Sequence, residues 1–200
     1  TGIKIESTDL GSITIHPAHA TNNPANVGPV DYIIIGVKLW DTEDAGRAIV
    51  PMLKPNTKVL SLQNGVDGDD ILAPIVGRER MISGVAFIAS SISKPGTVKH
   101  IGTMQRVIMG ELEGPSSKPV EKLFAAMIAG GIDAEISDDI ERTIWEKFVF
   151  LVGMSSTTTL MNSEIGPIRS DTEGREFLHN VFREVTAVGR ARGVNLPENF

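Results

Sequence analysis

The fold is decided by one nearly unbroken run of apolar, mostly β-branched side chains, Val30-Asp31-Tyr32-Ile33-Ile34-Ile35-Gly36-Val37. Such a run is typical of a parallel strand that is buried on both faces of a sheet. The next residues predict a helix over 41–53, which is followed by a second apolar strand at 58–62 and a second helix at 68–76. This alternation of strands and helices predicts a doubly wound α/β sheet.

Outside this unit, alternating residues and turn signals predict further sheet elements. Residues 3–6 and 13–15 predict a hairpin, and residues 81–89 and 97–109 predict two long antiparallel strands joined at a Pro-Gly turn. A helix is predicted at 119–128 and a last short strand at 132–136. After residue 136 no strand pattern recurs, and two helical stretches are predicted at 138–160 and 172–192. We therefore expect an α/β domain at 1–137 and an all-α domain at 138–200.

Composition and charge disfavour several classes of function. The chain has 200 residues, and its 25 acidic against 19 basic side chains give a net charge of −6, so nucleic acid is not expected as a partner. No run of about eighteen apolar residues occurs, so no membrane association is expected. The absence of cysteine excludes thiol nucleophiles, disulfides and thiolate metal sites, and it fits a reducing, cytoplasmic location.

Metal and hydrolase chemistry have no supporting motif. Four histidines, at positions 16, 19, 100 and 179, are scattered without a ligand spacing, so we expect surface or turn histidines and no metal site. The Gly-x-Ser-x-Gly pattern of a nucleophile elbow is absent.

Polar side chains follow two neighbouring strands of the predicted sheet. Lys38 comes just past the first buried strand, and Asn64 takes the equivalent place after the next. In open α/β sheets this edge is where ligands bind. Lys38 could hold an anionic substrate or a cofactor phosphate, or could simply extend into solvent. Asn64 could line the same site, or could form an ordinary tight turn with Gly65.

Lys147 is a candidate general acid. Its neighbours Ile144, Phe148 and Leu151 fall at helical spacing, which places the lysine close to the junction of the two domains. Burial lowers the pKa of a lysine toward neutrality, as a general acid requires. Glu146 points away from Lys147 on a helix and is a poor partner for it. The alternative is an ordinary lysine on a helix surface.

Four stretches carry a family resemblance. They are Ile35-Gly36-Val37-Lys38, Ser61-Leu62-Gln63-Asn64-Gly65-Val66, Pro95-Gly96-Thr97-Val98-Lys99-His100-Ile101-Gly102 and Trp145-Glu146-Lys147-Phe148. In this order and spacing the chain resembles ketopantoate reductase (2-dehydropantoate 2-reductase). The resemblance implies a partial Rossmann-like, NADP-binding domain followed by the start of a helical substrate and dimerisation domain, similar to the C-terminal domain of 6-phosphogluconate dehydrogenase.

The resemblance also implies an activity and roles for residues. The family reduces a 2-keto acid to the 2-hydroxy acid with NADPH, in pantothenate biosynthesis. By position, Lys147 matches the catalytic lysine, which protonates the carbonyl oxygen and contacts substrate. Asn64 matches an asparagine beside both nicotinamide and substrate, and Lys38 and Ser90 match cofactor contacts. Ser155 stands where a substrate contact is expected.

The sequence departs from the family in several places. No Gly-x-Gly-x-x-Gly fingerprint occurs, and the family's late helices would lie beyond Phe200, so we expect a fragment that lacks both. The family places asparagines four and eight residues after the catalytic lysine, where this chain has Leu151 and Ser155. The side chain of leucine cannot form hydrogen bonds, and serine has a single hydroxyl on a short side chain. We therefore expect a less polar pocket that does not bind ketopantoate in the family's manner.

Two other functions stay open. One is a related 6-phosphogluconate-like dehydrogenase working in the oxidative direction. The other is a non-catalytic dinucleotide-binding or regulatory protein with the same fold. The apolar segment 148–160 is compatible with a homodimer contact or with the core between the domains, and we favour the core.

Overall fold

The computed structural model describes residues 2–197 and contains one mixed sheet. Its strands are β1 (Ile3–Ser7), β2 (Gly11–Ile15), β3 (Tyr32–Ile35), β4 (Lys58–Ser61), β5 (Met81–Lys94), β6 (Thr97–Gly110) and β7 (Asp133–Ile136). The strand order is β2-β1-β6-β5-β4-β3, and β7 pairs with the part of β6 that carries Arg106. Strands β3, β4 and β5 are parallel, whereas β1–β2 and β5–β6 are antiparallel. The predicted hairpin and the antiparallel long strands are confirmed.

The helices are α1 (Thr42–Ala48), α2 (Gly68–Val76), α3 (Lys118–Ala129), α4 (Ile140–Met161), α5 (Ile165–Ser170) and α6 (Thr172–Ala191). Short 3₁₀ turns lie at Pro24–Asn26, Leu39–Asp41, Val50–Met52 and Arg78–Arg80. Asp139 caps α4 by accepting a hydrogen bond from the backbone N–H of Arg142, and Asp171 caps α6 in the same way.

Helices cover the two faces of the sheet. On one face, Ile33, Val59 and Met81 pack with buried residues of α2, among them Leu72 and Val76. On the other face, side chains of β4, β5 and β6 pack with α3 residues Val120, Leu123 and Met127. Burial of alternate strand residues on opposite faces explains why these strands read as continuous apolar runs. The doubly wound α/β arrangement is confirmed.

The expectation that the apolar run at 30–37 forms a strand buried on both faces was wrong. Strand β3 has four residues and lies at the end of the strand order, so its second edge has no neighbouring strand in the described part of the chain. Ile33 and Ile35 are buried, but Ile34 is 54% exposed, so burial on both faces does not hold. A run of β-branched residues indicates a strand, but it does not show whether the strand is central.

Two helix predictions need correction. The predicted helix over 41–53 ends at Ala48, and a 3₁₀ turn follows that contains Pro51. Proline has no backbone N–H and its ring clashes with the preceding turn, so the α-helix cannot continue through it. Helix α5 was not predicted, because six residues are too few to show a helical period.

The helical part packs against itself and against the sheet region. Trp145 and Val149 of α4 form a core with Val194 and Leu196, and Phe182 of α6 packs on it. This supports the core interpretation for one face of the 148–160 segment, while Leu160 on the same helix is 70% exposed. No helix of the described residues is long and apolar enough to cross a membrane.

Candidate active site

The amine of Lys147 joins the helical part to the sheet region. Its Nζ donates hydrogen bonds to Asn64 Oδ1 at 2.8 Å and to the carbonyl oxygen of Ala86 at 2.7 Å. Asn64 follows β4 and Ala86 lies within β5, so one side chain of α4 contacts both the loop after β4 and strand β5. An ammonium group has three N–H donors, and the third has no acceptor among the residues that the structure describes.

The surroundings of this amine change its acidity. Burial lowers the pKa of Lys147 below its ordinary value, because desolvation disfavours the charged form. The ring of Phe87 lies 5.5 Å from Nζ, close enough for a cation–π contact that favours the ammonium. Glu146 accepts a hydrogen bond from Arg142 at 2.8 Å instead, as expected for a residue that points away from Lys147.

A cleft of about 680 Å³ opens beside this amine. Four of the residues singled out from the sequence line it: Lys38, Asn64, Ser90 and Lys147. The structure therefore brings these four together, with Lys38, Asn64 and Ser90 exposed and Lys147 half-buried. Ser155 is not among the lining residues, and its hydroxyl donates to the carbonyl of Leu151 at 2.7 Å. A substrate role for Ser155 stays a prediction.

Gln63 ties together the two loops that carry Lys38 and Asn64. Its amide nitrogen donates to the carbonyl of Val37 at 3.0 Å and to the hydroxyl of Thr42 at 2.7 Å. Thr42 is fully buried and its hydroxyl donates to the carbonyl of Leu39. The residue before Asn64 therefore fixes the backbone on both sides of Lys38.

The turn after Asn64 depends on a glycine. Gly65 has φ = 110°, a backbone conformation that L side chains rarely adopt. A Cβ at this position would lie 3.4 Å from Leu39, so the loops of β3 and β4 are in close contact here. The chain bends at the Asn-Gly pair, and this bend presents Asn64 to Lys147.

Several residues of the site were missed by sequence reasoning. The carbonyl of Ala86, the ring of Phe87 and the amide of Gln63 all act through contacts with residues more than twenty positions away. Ala86 carries no polar side chain, so no sequence signal identifies its carbonyl. Gln63 could have been noticed as a polar residue directly after a buried strand.

The histidines and acidic residues were the remaining candidates for a metal site. Among residues 2–197 the structure contains no group of three or more His, Asp or Glu side chains that could hold a metal ion. His100, expected on the surface or in a turn, is buried: its ring nitrogens lie 2.9 Å from the Ser7 hydroxyl and 2.9 Å from the Met104 carbonyl. Both ring nitrogens are engaged, so this histidine is structural.

Comparison with known protein families identifies the family of this chain. A family model described as Ketopantoate reductase PanE/ApbA matches residues 1–114, and a second, Ketopantoate reductase PanE/ApbA C terminal, matches residues 139–200. The chain belongs to the ketopantoate reductase family. The resemblance found in the four sequence stretches is thus confirmed.

Individual members of the family agree with this assignment. The 2-dehydropantoate 2-reductase of Halobacterium salinarum is 28% identical over 198 residues, covering 99% of this chain and 64% of that protein. The crystal structure of 2-dehydropantoate 2-reductase from Porphyromonas gingivalis W83 has a TM-score of 0.91 at 27% identity, covering 99% of this chain and 68% of that one. The crystal structure of 2-dehydropantoate 2-reductase from Geobacter metallireducens GS-15 has a TM-score of 0.88 at 30% identity, covering 96% of this chain and 64% of that one. The chain therefore spans about two thirds of the length of these relatives.

The donor set of the cleft fits part of a nicotinamide dinucleotide. Lys38 offers a cation for a phosphate, and Asn64 and Ser90 offer amide and hydroxyl groups. The loops that carry Lys38 and Asn64 follow the parallel strands β3 and β4, at the sheet edge where such ligands bind. The volume of the cleft also lies in the range of small-molecule sites, which is roughly 300 to 1,000 Å³.

Proposed function

We propose that this protein reduces a 2-keto acid, ketopantoate or a related compound, to the 2-hydroxy acid with NADPH. The observation that carries the proposal is the Lys147 amine, held at 2.8 Å from Asn64 and 2.7 Å from the Ala86 carbonyl at the edge of a ligand-sized cleft. The names of the relatives, 2-dehydropantoate 2-reductase, support the same reaction class.

The chemistry needs a hydride and a proton at adjacent atoms. The reduced nicotinamide, when bound, supplies the hydride to the carbonyl carbon. Negative charge then develops on the carbonyl oxygen, and an ammonium beside that oxygen stabilises it and provides the proton. Two N–H groups of Lys147 are held by Asn64 and Ala86, which would leave the third for a substrate oxygen.

The other polar residues of the cleft receive binding roles. We propose that Lys38 and Ser90 contact the cofactor, and that Asn64 contacts both cofactor and substrate while positioning Lys147. The lowered pKa of Lys147 suits its role, because a weaker ammonium releases its proton more readily to the developing alkoxide.

We propose different roles for the two parts of the chain. Residues 1–137 would bind the cofactor, and residues 138–200 would begin the substrate and dimerisation domain. Selection of NADPH over NADH, a homodimer and a cytoplasmic location are parts of the same proposal. If ketopantoate is the substrate, the protein serves pantothenate synthesis.

Turnover by the full chain tests the proposal. The full-length protein is mixed with NADPH or NADH and a panel of 2-keto acids, and loss of the reduced-nicotinamide absorbance is followed. Oxidation of cofactor that depends on the keto acid supports the reductase. Cofactor binding without turnover on any keto acid would instead favour a non-catalytic dinucleotide-binding protein, for which the apolar Leu151 in the cleft is the supporting observation.

A further inference from the structure

One wall of the cleft beside Lys147 is hydrocarbon. Phe150 and Leu151 follow Lys147 by three and four residues on α4, which places them on the same face of the helix, and both line the cleft. The sheet adds three further apolar side chains, Phe87, Ile88 and Met104. Phe150, Ile88 and Met104 are each about half exposed (53%, 50% and 50%), so apolar surface is available to a bound molecule.

The next turn of α4 offers no compensating donor. The Ser155 hydroxyl donates to the carbonyl of Leu151 at 2.7 Å, and the Ser156 hydroxyl donates to the carbonyl of Val152 at 2.6 Å. Both protons are therefore used by the helix backbone. A substrate hydroxyl that lay against Leu151 would lose its hydrogen bonds to water and gain none in return.

The polar groups of the cleft suit the other end of a keto acid. Lys147 lines it with a cation and Asn64 adds an amide, while Lys38, the other lining cation, is assigned to the cofactor. A carboxylate and a carbonyl oxygen are the groups that such donors bind. The lining thus combines cationic and amide donors for the keto acid head with a hydrocarbon surface for the substituent.

We propose, building on the reductase function above, that the preferred substrate is a 2-keto acid whose substituent is an unhydroxylated, bulky hydrocarbon group, branched or aromatic. In the reaction, carbon 2 gains a hydride from the reduced nicotinamide cofactor, its oxygen gains a proton from Lys147, and the C=O bond becomes CH–OH. The cofactor is oxidised, the keto acid is reduced, and the substituent is unchanged. Leu151 is the residue that selects against a hydroxyl.

A matched pair of substrates tests this directly. Ketopantoate and 3,3-dimethyl-2-oxobutanoate differ only by one hydroxyl. The ratio of their kcat/KM values therefore measures the effect of that hydroxyl on turnover. We expect the deoxy compound to be favoured by about tenfold to a hundredfold, the range that one group in an apolar pocket provides. Calorimetric binding of the two hydroxy acid products is expected to show the same preference without turnover.

Two variants locate the effect. Leu151→Asn places an amide at this wall. We expect it to raise kcat/KM for ketopantoate and to reduce the preference for the deoxy compound at least about tenfold. Leu160→Asn, on the same helix but 70% exposed and outside the cleft lining, is the control and is expected to leave the ratio unchanged.

The outcomes separate this inference from the function on which it rests. Turnover of both compounds with equal or better use of ketopantoate would overturn the preference and leave the reductase intact. Cofactor binding without turnover of any 2-keto acid in the panel would overturn the reductase itself. An unchanged ratio in Leu151→Asn would overturn the role given to Leu151.

Discussion

Lys147 of α4 and Asn64 after β4 are 83 residues apart in sequence, and their side chains meet at 2.8 Å. The contact joins the helical part of the chain to the sheet edge at the place where a ligand-sized cleft opens. A half-buried amine that is held by two neutral oxygen acceptors is oriented, yet it has no carboxylate among these acceptors to keep it strongly basic. That combination is what a proton donor to a developing alkoxide requires.

The acidity of Lys147 predicts a pH dependence. Because burial lowers its pKa below the ordinary 10.5, the ammonium is lost at a lower pH than in a free lysine. A general acid must be protonated, so kcat/KM for keto acid reduction should fall as pH rises through the lowered pKa. The pH profile of the full chain measures this, and Lys147→Ala should lack the descending limb. A profile that stays flat up to pH 10.5 would contradict the assignment.

Asn64→Asp should move that descending limb to higher pH. The new carboxylate would lie at hydrogen-bond distance from the ammonium and favour its charged form, raising the pKa of Lys147. Asn56→Asp adds the same charge at an exposed position outside the cleft lining and serves as the control. An identical pH profile for both variants would show that Asn64 does not face the amine in solution.

Gln63→Leu should loosen the loop that carries Lys38. The variant removes the hydrogen bonds to the Val37 carbonyl and to the hydroxyl of buried Thr42. We expect a loss of about 1 to 3 kcal/mol in the free energy of unfolding, measured by urea denaturation, and weaker dinucleotide binding. Gln105→Leu, a half-buried position on β6, is the control. Unaltered stability and cofactor affinity in Gln63→Leu would refute the positioning role.

Gly153→Ala tests the packing of α4 on α6. A Cβ at Gly153 would overlap the ring of Phe182, so the two helices would have to move apart. Overpacking of this kind costs about 1 to 3 kcal/mol, and thermal or urea unfolding measures it. Gly166→Ala in α5 meets open space, so it should be neutral or stabilise by up to about 1 kcal/mol. Equal effects of the two substitutions would contradict the described contact.

The sequence predicts the strands well because their residue patterns are local. It does not show that β3 lies at the end of the strand order with Ile34 half exposed, since pairing depends on residues far along the chain. Helix α1 ends before the predicted residue 53 because of Pro51, which lies inside the predicted helix. Lys38, Asn64 and Lys147 could be chosen from their positions at strand ends and on a helix. Gln63 and the Ala86 carbonyl could not be assigned, because their roles exist only once the loops meet.

Lys147→Ala removes the ammonium that we propose protonates the substrate. In the full chain, this variant should lower kcat for keto acid reduction about a hundredfold or more, the usual size of a lost general acid, while cofactor Kd stays nearly unchanged. Lys122→Ala, an exposed lysine of α3, controls for loss of charge and should keep full activity. Wild-type turnover by Lys147→Ala would show that Lys147 does not protonate the substrate.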